Sequence, residues 1–73
     1  MKIIIVGCGK VGVTLAEQLN NEGHDITLID QNSSVLESVV DSIDVMGVVG
    51  NGAVSKIQME AGIEDADLLI ATT

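Results

Sequence analysis

The chain has 73 residues and is 47% hydrophobic, and because it contains no Trp, Tyr, Phe or Pro its core must be built from Ile, Val, Leu, Met and Ala. That length permits one small domain, and a net charge of −8 excludes general electrostatic attraction to nucleic acid or to an anionic membrane, since both repel it. A single cysteine without a signal peptide predicts a reducing, cytosolic compartment, and the apolar run Ile3–Val6 is too short to insert directly into a membrane.

The chain opens with a strand, a glycine turn and a helix. Lys2–Val6 is a nearly continuous β-branched run, typical of a strand buried on both faces of a parallel sheet. Val11–Glu22 is predicted to be a helix that Gly23 ends as a C-terminal cap. The apolar stripe of this helix is predicted from residues at helical spacing, namely Val11, Leu15, Ala16 and Leu19.

A second strand and helix follow. Asp25–Ile29 is predicted to be the strand, and the polar turn after it, residues 30–33, offers good N-cap candidates. The next helix is predicted over Ser34–Ile43. Its apolar residues recur at helical spacing, namely Val35, Leu36, Val39, Val40 and Ile43.

The last elements are shorter. Val45–Val49 is predicted to be a third strand, weakened by Gly47, and residues 50–52 form a tight loop. A third helix is predicted over Ala53–Ala61, with Gly62 ending it, and a fourth strand over Asp67–Thr72. The apolar side of the third helix is predicted to carry Val54, Ile57 and Ala61.

This alternation of strands and helices predicts an α/β fold. Short connections and right-handed crossovers give a Rossmann-type parallel sheet in the order 3-2-1-4, with helices on both faces and truncated after the fourth strand. Residues 1–73 are therefore interpreted as the N-terminal part of a dinucleotide-binding domain. The fourth strand is expected to be an exposed apolar edge, so we expect the chain to be a fragment of a longer protein or to self-associate.

The strongest functional signal is the Gly7-x-Gly9-x-x-Gly12 turn with Asp30 after the second strand. In such a pattern the first two glycines allow a sharp turn and close approach to a pyrophosphate, and the third allows tight helix packing. The helix N-terminus donates N–H groups to phosphate, and the acid accepts hydrogen bonds from ribose hydroxyls. Lys10 could pair with the pyrophosphate. The alternative is a Rossmann-like half that binds no ligand.

Asp30 narrows the choice among nucleotides only in part. Asp30 favours a free 2′-hydroxyl, and Gln31 supplies no cation for a 2′-phosphate, so NAD is predicted over NADP. The ribose of ATP or ADP would satisfy the same acid equally well. The alternative interpretation of Asp30 is a plain helix-capping turn.

Other reactive residues have competing interpretations. Cys8 sits at a helix N-terminus, where a thiolate would be stabilised, as in a redox sensor. The favoured interpretation is that Cys8 is simply a small residue that the turn tolerates. His24 is interpreted as a surface loop residue. Four acids near the end are interpreted as a solvated rim rather than a cation site: Glu60, Glu64, Asp65 and Asp67. No metal-ligand spacing and no catalytic arrangement is visible in the sequence.

The whole chain resembles a particular family, and its second half does so more specifically than its first. The resemblance is carried by VVGNG at positions 48–52 and EAGIEDADLLIATT at positions 60–73, together with the opening MKIIIVGCGKVG. These runs are similar to the N-terminal nucleotide-binding domain of Trk-type potassium uptake regulators, the TrkA-like (RCK/KTN) domains. The resemblance implies a non-enzymatic, cytoplasmic regulatory subunit, peripheral to the inner face of the cell membrane through a potassium transporter. It also implies NAD or NADH as ligand, with ATP or ADP in relatives, and a homodimer or higher homo-oligomer.

The same resemblance implies a set of binding residues. The phosphate turn matches at Gly7, Cys8, Gly9, Lys10 and Val11. Asp30 matches the ribose acid, Asn51 and Gly52 match the loop beside the adenosine, and Thr72 and Thr73 match the strand end near the second half of the cofactor. Two other interpretations remain: the N-terminal half of an NAD-dependent dehydrogenase, and a domain that only mediates assembly.

Overall fold

The computed structural model describes residues 1–51 and 55–72. The predicted start of the third helix and the predicted ligand residues Gly52 and Thr73 lie outside the described residues. The described elements are β1 (Lys2–Val6), α1 (Lys10–Asn21), β2 (Asp25–Asp30), α2 (Ser33–Ile43), β3 (Met46–Val49), α3 (Ser55–Glu60), a 3-10 helix (Ile63–Asp65) and β4 (Leu68–Ala71).

The four strands form one parallel sheet in the order β3-β2-β1-β4, which confirms the predicted topology. β1 lies at the centre and pairs with β2 and β4, so that Val6 stands beside Ile29 on one side and Ala71 on the other. The carboxyl ends of β1, β2 and β4 therefore meet at one edge of the sheet, which is where ligands bind in open α/β sheets.

Helices cover both faces of the sheet, as predicted. α1 and α2 pack on one face over a cluster that includes the buried Ile3, Ile5 and Leu28. On the other face, Ile57 of α3 packs over the buried Ile4 and Ile29. Neighbouring residues of β1 belong to different clusters because successive side chains of a strand point to opposite faces of the sheet.

The prediction that Val11 belongs to the apolar stripe of α1 is wrong. The Val11 side chain is 63% exposed, and the buried residues of the helix are Gly12 and Ala16. Gly12 lies against the Gly7 carbonyl, and that contact sets the rotation of the helix. Because neighbouring helical residues differ by about 100° around the axis, the side chain before Gly12 faces solvent.

Both predicted caps are confirmed. Gly23 follows α1 with φ +91°, and the His24 N–H donates to the Leu19 carbonyl at 3.2 Å, the pattern of a Schellman C-terminus. Asn32 caps α2, accepting a 3.2 Å hydrogen bond from the Val35 N–H. Gly62, with φ +86°, follows α3 as expected.

The predicted exposed strand edge is also present. Leu68 and Leu69 of β4 are 45% and 42% exposed, and β4 pairs within the described residues with β1 alone. Among residues 1–51 and 55–72, no helix has the length and apolar character needed to cross a membrane.

Candidate nucleotide-binding site

A cleft of about 190 Å³ opens at the carboxyl ends of β1, β2 and β3. Four predicted site residues line it: Gly7, Asp30, Gln31 and Asn51. Val6, Ile29 and Gly50 complete its wall. The fold thus brings together residues from the glycine turn, from the end of β2 and from the loop after β3, although they are far apart in the sequence.

The three glycines of the turn differ in their backbone conformation and in the space beside them. Gly7 has φ +111°, a conformation that L side chains rarely adopt, and its N–H donates to the Ile29 carbonyl at 2.8 Å. A Cβ at Gly12 would overlap the Gly7 carbonyl oxygen. At Gly9, by contrast, the backbone is extended (φ −71°) and a Cβ would meet nothing within 4 Å. The protein itself therefore gives no reason for glycine at position 9, whereas a closely approaching ligand would.

The N-terminus of α1 has the features of an anion site. Gly9 is its N-cap, no side chain caps it, and its first turn contains no acidic residue. The first N–H groups of a helix lack intrahelical acceptors and lie at the positive end of the helix dipole. Lys10 begins the helix and is exposed. This arrangement suits a phosphate group, which brings acceptor oxygens and negative charge.

The Asp30 carboxylate is hydrogen-bonded to the glycine turn within the protein itself. Its Oδ2 accepts a 2.8 Å hydrogen bond from the Cys8 N–H, and its Oδ1 accepts one of 2.8 Å from the Asn32 N–H. The N-cap of α2 is Asn32 rather than Asp30, and Asp30 stabilises the turn that precedes it. A carboxylate has about four acceptor positions, so these two hydrogen bonds leave capacity for further donors. Nothing local in the sequence signalled the bond to Cys8, because it joins residues 22 positions apart.

The Cys8 thiol is not activated. Its side chain is 6% exposed. Burial, and secondarily the negative charge of Asp30, raises the pKa of Cys8 from 9.0 to about 11. The expectation that the helix N-terminus would stabilise a thiolate is therefore wrong, because desolvation of the anion outweighs the helix dipole. Cys8 contributes its backbone N–H and a small buried side chain to the turn.

The remaining predicted residues lie around this turn. Lys10, Val11, Gln31 and Asn51 are exposed. Thr72 follows β4, and its hydroxyl donates inward, to the Val6 carbonyl at 2.9 Å and weakly to the Gly7 carbonyl at 3.4 Å. Thr72 thus contacts the backbone of the turn, which sequence reasoning did not anticipate.

The other polar groups singled out in the sequence lie away from the cleft. His24 precedes β2, at the opposite end of the sheet, and its Nε2 lies 3.8 Å from Glu22 Oε1. Asp67 Oδ2 accepts a 2.8 Å hydrogen bond from the Lys2 N–H, while Glu60, Glu64 and Asp65 are exposed. Within residues 1–51 and 55–72, no group of three or more potential metal ligands is assembled.

A parallel sheet in the order 3-2-1-4 with a glycine turn opening its first helix defines a Rossmann-type nucleotide-binding domain. More specifically, the chain belongs to the TrkA-N domain family, whose sequence model matches residues 3–73.

Named relatives and a solved structure agree with this assignment. The chain is 47% identical over 73 residues to the Trk system potassium uptake protein TrkA of Vibrio alginolyticus and to that of Haemophilus influenzae. It is 38% identical to a TrkA homolog of Methanothermobacter thermautotrophicus. It spans 16% of the first two relatives and 34% of the third. The crystal structure of the TrkA-N domain of the inner membrane protein ybaL from Escherichia coli superposes with a TM-score of 0.87 at 28% identity, covering 96% of this chain and 51% of that one.

Proposed function

We propose that this domain binds NAD or NADH and acts as the nucleotide-sensing part of a regulator of potassium transport. The observation that carries the proposal is the open space at Gly9, beside an uncapped helix N-terminus and a carboxylate. The pyrophosphate would lie over Gly9 and the first turn of α1, with Lys10 within reach as a flexible cation. The adenosine ribose would bind at Asp30, between Gln31 and Asn51. The described cleft is smaller than the roughly 300–1,000 Å³ of typical ligand pockets, so these residues hold part of the ligand.

The choice among nucleotides follows from charge. Asp30 would repel a 2′-phosphate, and the neutral Gln31 offers it no counter-ion, which disfavours NADP. ATP and ADP carry the same free ribose hydroxyls as NAD. An ATP- or ADP-sensing version of the regulator is therefore the second candidate, and Gly52, Thr72 and Thr73 remain proposed contacts for whichever nucleotide binds.

The proposed role in potassium transport comes from the named relatives. We infer a cytoplasmic location, at the inner face of the cell membrane through a membrane potassium transporter subunit. The domain would catalyse no reaction. Nucleotide binding would instead shift the arrangement of paired domains, by no more than the difference between its affinities for the two arrangements. This mechanism requires a homodimer or higher oligomer.

The alternative function is the N-terminal half of an NAD-dependent dehydrogenase. Such an enzyme uses the same glycine turn but obtains its substrate site from another domain. Membership of the TrkA-N family and the names of the relatives favour the regulator. Turnover of a hydroxy acid with NAD, followed by NADH absorbance, would favour the dehydrogenase instead.

Calorimetric titration with NAD, NADH, ATP and ADP tests the proposal. Asp30→Ala is expected to weaken nucleotide binding by about tenfold to a hundredfold, because charge-assisted hydrogen bonds to ribose are lost. Gly9→Ala is expected to abolish binding while leaving the free energy of unfolding nearly unchanged, since its Cβ would enter space that the protein leaves open.

Asp25→Ala is the matched control. Asp25 begins the same strand at the opposite end of the sheet and is exposed, so its removal should change affinity by about twofold or less. Preference for ATP over NAD would favour the ATP- or ADP-sensing version of the regulator. Failure of all four nucleotides to bind would refute a nucleotide sensor.

A further inference from the structure

Thr72 contacts the backbone of the phosphate turn, defined here as residues 7–9. The Thr72 N–H donates to the Val6 carbonyl at 2.9 Å. The Thr72 hydroxyl donates to the same carbonyl at 2.9 Å and lies 3.4 Å from the Gly7 carbonyl. The residue that follows β4 is thus joined through its main chain and its side chain to the point where β1 becomes the turn.

The opposite side of the turn is held from β2. The Gly7 N–H donates to the Ile29 carbonyl, and the Cys8 N–H donates to Asp30 Oδ2, both at 2.8 Å. The ends of the strands on either side of β1 therefore each supply a side-chain hydrogen bond here, from Thr72 to Val6 just before the turn and from Cys8 in the turn to Asp30. Those bonds fix peptide groups whose orientation decides where phosphate-binding N–H groups point.

Thr72 also lies where the turn meets the first helix. The Cβ position of Gly12 is 3.0 Å from Thr72 Oγ1, so the hydroxyl lies between β4, the turn and α1. A hydroxyl has one hydrogen, and here that hydrogen is directed to backbone carbonyls. Phosphate oxygens are acceptors and need donors, so in this orientation Thr72 has no donor left for a phosphate.

We propose that Thr72 is a positioning residue, which sets the conformation of the phosphate turn rather than binding phosphate itself. This inference rests on the proposed nucleotide function for its consequence, because the turn so held is the one that receives the pyrophosphate. It also provides a direct link from the end of β4 to the nucleotide site. A change in the chain at that end would move the turn, and a bound nucleotide would hold the end of β4.

The test compares Thr72→Val with Thr72→Ser. Valine keeps the shape and removes the hydroxyl, whereas serine keeps the hydroxyl. Amide hydrogen exchange at Gly7 and Cys8 of the unliganded protein reports the turn directly. Thr72→Val is expected to speed this exchange by about fivefold to tenfold, the equivalent of one hydrogen bond, and to weaken ADP and NAD binding by a similar factor. Thr72→Ser should keep wild-type exchange and affinity.

Thr14→Val is the matched control. The Thr14 hydroxyl also donates to a backbone carbonyl, that of Lys10, at 2.7 Å, but on an exposed side of α1. Its loss should leave Gly7 and Cys8 exchange unchanged.

Two results would overturn the positioning role. One is unchanged exchange at Gly7 and Cys8 in Thr72→Val, and the other is loss of NAD binding with ADP binding intact, which would make Thr72 a direct ligand of the second half of NAD. If the valine variant fails to fold, Thr72→Ser still tests the positioning role. Faster amide exchange at Gly7 and Cys8 in the serine variant than in the wild-type protein would contradict the proposal. If the wild-type protein binds no nucleotide, the proposed function fails, and the exchange data alone still test the role of Thr72.

Discussion

At the scale of single residues, the three glycines of one motif differ in what the protein itself requires of them. Gly7 is fixed by its positive φ and Gly12 by the lack of room beside the Gly7 carbonyl. Gly9 is subject to neither constraint. The protein's own packing explains two of the three glycines, and the open space at the third is what the proposed nucleotide would occupy.

Cys8 gives a pH-dependent prediction at the same scale. Its pKa is raised from 9.0 to about 11 in the folded protein, so above pH 9 the unfolded chain binds fewer protons than the folded one. The stabilising contribution is therefore complete below about pH 9 and is lost as the pH rises towards 11. We expect Cys8 to account for a loss of about 1 kcal/mol in the free energy of unfolding between neutral pH and about pH 10.

The measurement is chemical denaturation followed by circular dichroism across this pH range. Cys8→Ala removes the titrating group and should show a shallower decline, since the two proteins are otherwise identical in sequence. Since the chain has a single cysteine and no Tyr or Trp, ultraviolet absorbance of the thiolate can follow the same titration. Equal declines in the two proteins would contradict the assignment.

At the scale of elements, the two long helices begin in different ways. α1 starts at Gly9 with no capping side chain, whereas α2 starts at Asn32, whose side chain accepts from the Val35 N–H. The uncapped helix is the one that faces the candidate site. A helix whose N-terminus binds a ligand must keep its N–H groups available, while one without a ligand is stabilised by a cap.

Asn32→Ala is expected to lower the free energy of unfolding by about 1 kcal/mol, because the cap of α2 is lost. Equilibrium denaturation measures the change. Asn32→Asp keeps an acceptor and should retain most of the stability, and Ser38→Ala, at an exposed position of the same helix, should be nearly neutral. A loss in Ser38→Ala equal to that in Asn32→Ala would show that the cap contributes nothing specific.

At the scale of the whole molecule, the exposed edge of β4 favours association of two copies of the chain, whereas the net charge opposes it. β4 presents Leu68 and Leu69 to solvent, and an apolar edge favours pairing with another chain. The net charge of −8 opposes association of two copies, and salt screens this repulsion. Association through β4 should therefore strengthen as salt is added.

Leu69→Lys is expected to weaken this association, since a lysine on an edge strand discourages pairing. Sedimentation velocity at low and high salt measures it. Met59→Lys adds the same charge at an exposed apolar position of α3 and is the control. If both variants dissociate equally, charge rather than the strand edge controls association. If neither changes a stable oligomer, another surface forms it.

Much of this architecture follows from the sequence because it depends on local patterns. The β-branched run of β1, the spacing of apolar residues in α2 and the glycine after α1 each predict their element from neighbouring residues alone. The element boundaries differ by one or two residues, as at Lys10 and Ser33, because the first residue of each helix is polar and carries no apolar signal. The 3-10 helix after Gly62 also lacks such a signal.

What the sequence by itself determined is the order of the elements and the sheet topology, because chain periodicity and handedness fix them; it also supplied the candidate site residues through the glycine motif and the acid after β2. Only the tertiary structure decided which of these residues touch. In the folded protein Val11 is exposed and the Cys8 thiol is buried. Asp30 and Thr72 form hydrogen bonds on opposite sides of the end of β1 and the turn that follows it. Those outcomes depend on burial and on contacts between residues distant in sequence, which arise when the strands align and the helices settle on the sheet.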